Sequence, residues 1–85
     1  MTAIVWSKDG CSYCEQAKAM LKRSGIPYEE RNLSSGDWSV DQLREMVPGA
    51  KTVPQIFMHG EYVGNYNALC EYYDNHNMWA GNSGV

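Results

Sequence analysis

The sequence predicts an α/β domain in the order strand, helix, strand, helix, strand, strand, helix, with four strands in one mixed sheet and three helices on its two faces. Three observations carry this expectation. An apolar run, Ala3-Ile4-Val5-Trp6, leads into a helix-period pattern that begins near Ser12. Two short strand-like runs, Gln55-Ile56-Phe57-Met58 and Glu61-Tyr62-Val63-Gly64, flank His59-Gly60 as a hairpin would. Two further helical patterns each open on capping residues.

Taken in order, Ala3 to Trp6 is apolar almost without interruption, as a central strand covered on both faces must be. In the first helix, Cys14, Ala17, Met20 and Leu21 share one face while Lys18, Lys22 and Arg23 point away. Gly25 supplies a C-terminal cap and Pro27 prevents continuation. Residues Tyr28 to Leu33 are polar and strand-length, which suits a sheet edge where charges discourage further pairing. After the Ser34-Ser35-Gly36-Asp37 loop, Ser39 and Gln42 form a capping-box signature, and Val40, Leu43, Met46 and Val47 are the expected apolar face of the second helix. Pro48-Gly49 ends it. Asn65 to Asn67 offers N-cap chemistry for a last helix, with Leu69, Tyr72, Tyr73 and His76 along one side. The domain is read as residues 1–76 and a flexible C-terminal tail as 77–85, with Met78 and Trp79 as the residues able to fold back onto it.

Eighty-five residues suffice for one domain that buries roughly 60–65% of its unfolded surface. No apolar run approaches a membrane span or a signal-peptide core, so a soluble cytoplasmic protein with no membrane partner is expected. A net charge of −3 argues against sequence-independent nucleic-acid binding, which needs clustered Lys and Arg. Three cysteines without an export signal fit a reducing compartment with one catalytic pair, and Cys70 reads as a small buried residue.

The chemistry centres on Lys8-Asp9-Gly10-Cys11-Ser12-Tyr13-Cys14, at the turn between the first strand and the first helix. There, unpaired backbone N–H groups and the positive end of the helix dipole stabilise a thiolate at Cys11, the nucleophilic form of cysteine. Cys14 lies three residues on, on the same helical face, where a disulfide with Cys11 is within reach. Cys11 is thus the expected attacking sulfur and Cys14 the resolving one. Lys8 favours the thiolate and offers a charge to an anionic thiol substrate. A structural zinc site competes for the same motif, but His59, Cys70 and His76 supply neither a second Cys-x-x-Cys nor a His-x-x-x-His, so no metal ligand is assigned.

Beyond these local signals, the chain resembles the glutaredoxins, of thioredoxin-like fold, over about residues 1–76. The resemblance rests on the Lys8-to-Cys14 segment, on Thr52-Val53-Pro54-Gln55-Ile56-Phe57 and on Tyr62-Val63-Gly64-Asn65-Tyr66. It implies a glutathione-dependent thiol–disulfide oxidoreductase acting through Cys11 and Cys14 on protein disulfides and glutathione mixed disulfides, with glutathione as co-substrate. It also implies that Pro54 is cis and faces the cysteines, where residue chemistry alone reads a trans proline opening an edge strand. The glutathione groove that it implies falls on Lys8, Tyr13, Thr52, Val53, Pro54, Gln55, Gly64, Asn65 and Asn67, with Lys8 and Gln55 toward a carboxylate, Tyr13 as a wall and the last helix N-terminus toward the γ-glutamyl carboxylate. Three positions depart from the family pattern: Asn65 replaces a second glycine, Ala68 stands where an aspartate is common, and Ser12 replaces a proline. Protein clients such as ribonucleotide reductase, and a monomeric state, follow from the same resemblance. Two alternatives remain open: a redoxin fed by thioredoxin reductase, and a dimer holding a [2Fe-2S] cluster through Cys11 and glutathione.

Overall fold

The computed structural model describes residues 2–78. Strand β1 (Ala3–Ser7) lies inside a four-stranded sheet of order β2-β1-β3-β4, where β2 is Tyr28–Asn32, β3 is Gln55–Met58 and β4 is Glu61–Gly64. β1 runs parallel to β2, with Ala3 opposite Tyr28, and antiparallel to β3, with Trp6 opposite Gln55. The parallel pair is joined through helix α1 (Ser12–Arg23); α2 (Val40–Met46) precedes the hairpin and α3 (Tyr66–Asn75) follows it. All seven elements occur in the order that the sequence predicts.

Alternation along β1 divides the interior into two cores. Ala3 and Val5 point to the face covered by α1 and α3, where Met20, Leu21, Ile56, Met58, Leu69 and Tyr73 are buried with them. Ile4 and Trp6 point to the opposite face, against Phe57, Leu43 of α2 and Ala50. The Tyr73 hydroxyl donates to Ser24 Oγ at 2.8 Å, joining α3 to the end of α1. Met78 packs against the first core and its N–H donates to the Tyr73 carbonyl at 2.9 Å, while residues 79–85 of the expected tail, Trp79 among them, lie outside the described residues.

Two expectations require correction. The capping box of α2 forms as read, but that helix buries only Leu43; Val40 is 44% and Met46 50% exposed. The second face needs less from α2 because aromatic groups cover part of it. Trp38 meets Trp6 edge-to-face at 5.4 Å, and the Arg31 guanidinium lies 4.3 Å from the Trp38 ring centre and 5.1 Å from that of Trp6. Strand β2 stops at Asn32, one residue before Leu33, whose side chain packs into the second core.

Beneath the edge strand, the buried Ser7 hydroxyl donates to Glu30 Oε2 at 2.7 Å, and Lys18 Nζ contacts that carboxylate at 2.8 Å and Glu15 at 2.7 Å. The hydrogen bonds from Lys18 and then Ser7 hold the Glu30 carboxyl below its ordinary range. For Lys18, partial burial pulls its pKa down, but the bonds to Glu15 and Glu30 prevail and raise it.

Candidate active site

The turn after β1 is tied to the end of β2: the Asp9 N–H donates to Ser34 Oγ at 3.0 Å and Asn32 Nδ2 donates to Asp9 Oδ1 at 3.1 Å. Gly10, at φ +74°, bends the chain into α1 in a conformation that side chains disfavour. Cys11 is the N-cap of α1, and the Cys14 N–H donates to its sulfur at 3.1 Å. An N–H aimed at sulfur, on the positive end of a helix, is the arrangement that stabilises a thiolate.

Cys11 and Cys14 are joined as a disulfide with Cα atoms 5.2 Å apart. Cys14 is fully buried while Cys11 is partly exposed, so an incoming thiol reaches the bond from the Cys11 side. Cys11 is thus the outer sulfur of the pair and Cys14 the inner one.

Opposite Cys11 stands the loop before β3. Its Val53–Pro54 bond is cis, and the Val53 carbonyl oxygen lies 3.7 Å from Cys11 Sγ. From Val53 a groove of about 230 Å³ runs toward the start of α3. Thr52, Val53 and Pro54 form one side; Tyr13, Asn65, Tyr66 and Asn67 form the other. Tyr13, 59% exposed, stacks on Tyr66 with ring centres 5.6 Å apart. The Tyr66 hydroxyl has its pKa raised, first by burial and then by a hydrogen bond with Cys70.

The N-terminus of α3 opens on this groove, and its capping is specific to this sequence. Asn65 Oδ1 accepts from the Ala68 N–H at 2.9 Å, and no acidic residue occupies the first turn. Gly64 before it is buried at φ +127°, and a Cβ there would lie 2.8 Å from Ala68 Cβ, so glycine is required for strand and helix to approach.

Three residues assigned to the groove do not line it: Gly64, buried just before the Asn65 cap, and Gln55 and Lys8, which stand elsewhere. Gln55 is buried on the second face of the sheet, its Nε2 donating to the Thr52 carbonyl at 2.9 Å and its Oε1 accepting from Tyr62 at 2.6 Å. A side chain held at both ends supports the loop and does not reach for a carboxylate. Lys8 lines an adjoining cavity of about 190 Å³ that shares Thr52 and Val53 with the groove. Tyr66 is the lining residue that sequence reasoning did not assign to the site; its place directly after the N-cap is the local signal that pointed there. Among the described residues, no three His, Cys, Asp or Glu side chains are grouped to hold a metal ion, and no helix is long and apolar enough to cross a membrane.

The glutaredoxin family model matches residues 3–63, both cysteines and the Thr-Val-Pro loop included. The chain belongs to the glutaredoxin family. It is 36% identical over 76 residues to Glutaredoxin-C8 of rice, covering 84% of this chain and 55% of that protein, so it spans about half that relative's length. With Glutaredoxin 1 of Rickettsia conorii the identity is 37% over 71 residues, covering 80% of this chain and 68% of the relative. Among solved structures, a buckwheat glutaredoxin–glutathione complex superposes with a TM-score of 0.74 at 28% identity, over 89% of this chain and 71% of that one. The sheet of four mixed strands with three helices is therefore the thioredoxin-like fold of glutaredoxins. The family is one of thiol–disulfide oxidoreductases, and the disulfide-bonded Cys11 and Cys14 lie within the matched residues of this chain.

Proposed function

We propose that this chain reduces disulfides with electrons taken from glutathione, Cys11 being the sulfur that exchanges. The observation that carries this reading is the place of Cys11: partly exposed, at the positive end of α1, and 3.7 Å from a Val53 carbonyl that also borders a peptide-sized groove. In the groove, the Val53 backbone pairs with the cysteinyl unit of glutathione, the N-terminus of α3 receives the γ-glutamyl carboxylate, and Lys8 attracts the glycine carboxylate across the shared Thr52–Val53 wall.

The exchange balances as follows. The Cys11 thiolate attacks the glutathione sulfur of a mixed disulfide; a new Cys11–glutathione bond forms as the old sulfur–sulfur bond breaks, and the protein sulfur leaves as a thiolate that takes a proton from water. A second glutathione thiolate then attacks the bound glutathione sulfur, releasing oxidised glutathione and the Cys11 thiolate. For an intramolecular protein disulfide, the Cys11 thiolate attacks one protein sulfur and the other leaves as a thiolate; Cys14, as its thiolate, then attacks the Cys11 sulfur of this mixed disulfide, which releases the second protein thiolate and leaves the Cys11–Cys14 disulfide. Two glutathione molecules reduce it by the same steps. Burial of Cys14 confines it to this second, internal role.

Turnover of a glutathione mixed disulfide by separate Cys11→Ser and Cys14→Ser variants tests the assignment. Loss of at least about a thousandfold is expected for Cys11→Ser, from removal of the nucleophile, with substantial activity kept by Cys14→Ser. The reverse pattern refutes it, as does an enzyme that turns over with thioredoxin reductase and not with glutathione.

A further inference from the structure

The turn that delivers Cys11, made of Lys8, Asp9 and Gly10, is exposed throughout, and a Cβ at Gly10 would meet nothing within 4 Å, so little packing sets its path. A closed ring of three hydrogen bonds sets it instead. The Asp9 N–H donates to Ser34 Oγ at 3.0 Å, the Ser34 N–H donates to Asn32 Oδ1 at 2.7 Å, and Asn32 Nδ2 donates back to Asp9 Oδ1 at 3.1 Å. Asn32 is the hub: its carboxamide serves one neighbour at each end, while its carbonyl accepts from the Ser35 N–H at 3.2 Å and the Ser35 hydroxyl at 2.7 Å. Its backbone is fixed in turn, because Asn32 pairs with Ser7 in the parallel β1–β2 ladder and the Leu33 N–H donates to the Ser7 carbonyl at 2.8 Å. The ring therefore stands on the sheet.

It also places a charge. Strands β2 and β3 flank β1 on opposite sides. Asn32, the last residue of β2, holds the Asp9 carboxylate on one side, whereas Cys11 Sγ lies on the other, 3.7 Å from the Val53 carbonyl in the loop before β3. A carboxylate close to a thiol disfavours the thiolate, and Asp9, two residues before Cys11, comes within reach of it once released. The other titratable groups on the elements that meet at Cys11, besides its partner Cys14, do not add such a charge: Glu15 is paired with Lys18 at 2.7 Å, Lys8 and Lys51 are cations, and Tyr13 and Tyr66 stack on each other. Within this set, Asp9 is the carboxylate held by an amide and not by a cation.

We propose that Asn32 and Ser34 are positioning residues for disulfide exchange: through their ring with Asp9 they keep its carboxylate on the β2 side, where its charge does not oppose the charge that Cys11 carries as a thiolate. The inference rests on the reading of Cys11 as the exchanging sulfur. Thiolate stability then depends on a β2 residue that lies outside the groove.

The test is the pH dependence of iodoacetamide alkylation of Cys11 in the reduced protein at low salt, read from the mass of the Cys11 peptide. In Asn32→Ala the midpoint is expected to rise by about 0.3–0.7 pH, the effect of a unit charge brought to about 6 Å in a water-exposed setting. Asp9→Asn removes that charge and keeps an oxygen for Asn32 to bond, so it should lower the midpoint by at least about 0.3 pH more in the Asn32→Ala background than in the parent. With its thiolate less stable, Asn32→Ala should also hold a disulfide that is about two- to fivefold harder to reduce by glutathione at equilibrium at pH 7. Asn32→Asp keeps the acceptor for Ser34 but sets a second carboxylate against Asp9, and should act in the same direction; combining it with Asp9→Asn rebuilds the ring with donor and acceptor exchanged and should reverse the effect. This pair carries the test if Asn32→Ala does not fold. An unchanged midpoint in the Asn32 variants overturns the proposal, and so does a rise that Asp9→Asn does not reverse, which would come from the turn and not from the carboxylate. A parent midpoint near the ordinary thiol value of about 8.5 overturns the thiolate reading of Cys11 itself, and this inference with it.

Discussion

Replacing Gly64 with alanine tests how the α3 side of the groove is built. At this position φ is +127°, and the new methyl would lie 2.8 Å from Ala68 Cβ, an atom fixed on a helix backbone. The unfavourable backbone conformation costs about 1–3 kcal/mol. Overlap with a rigid neighbour adds about 1–3 kcal/mol, since real Cβ contacts do not come this close. The expected destabilisation of about 2–6 kcal/mol is a large part of the ~5–15 kcal/mol that holds a typical domain folded. With a urea dependence of about 1 kcal/mol per molar for a chain this short, the unfolding midpoint should fall by about 2 M or more. Ala68→Gly separates the two contributions. Alone it costs about 1 kcal/mol of helix propensity; combined with Gly64→Ala it removes the overlap and leaves the backbone cost, so the double variant should be more stable than the summed singles by about 1–3 kcal/mol. Urea unfolding followed by circular dichroism measures all four proteins. Gly64→Ala within about 0.5 kcal/mol of the parent, or a coupling of zero, would refute the close strand–helix approach argued here.

Glu30→Ala leaves the buried Ser7 hydroxyl without its acceptor and Lys18 without one of its two carboxylates, an expected loss of about 1–3 kcal/mol in urea unfolding. Because the folded state holds Glu30 below its reference pKa of 4.5, its contribution is full above that value and is lost as pH falls through the depressed one. Stability below about pH 4.5 should therefore decline less steeply in Glu30→Gln than in the parent, and identical slopes would count against the network. Asn65→Gly should cost only a few tenths of a kcal/mol as an N-cap change, yet it releases the Ala68 N–H to join those of Tyr66 and Asn67 at the α3 N-terminus. A two- to fivefold lower KM for a glutathione mixed disulfide is expected, and an unchanged or higher KM would show that the cap does not compete with the ligand carboxylate.

Much of the chemistry was written locally. The Cys11-x-x-Cys14 pair after an apolar strand, the Ser39–Gln42 capping box, the Asn65 cap and the His59-Gly60 turn, with φ of 54° and 80°, all depend on hydrogen bonds or steric preferences spanning a few residues. The sequence alone therefore determined the order of elements, the cysteine pair and its place at a helix end. Family resemblance added the loop facing it, because nothing within Thr52-Val53-Pro54 states that it will meet a cysteine from the other half of the chain. Only the tertiary structure decided which side chains share a surface. It stacked Tyr66 on Tyr13, turned Gln55 away to hold Tyr62, left Val40 exposed because two tryptophans and Arg31 cover part of that face, and brought Lys8, Arg44 and Lys51 to one cavity. Such meetings follow from strand order and crossover, which join residues remote in sequence, and no periodicity within a short window encodes them.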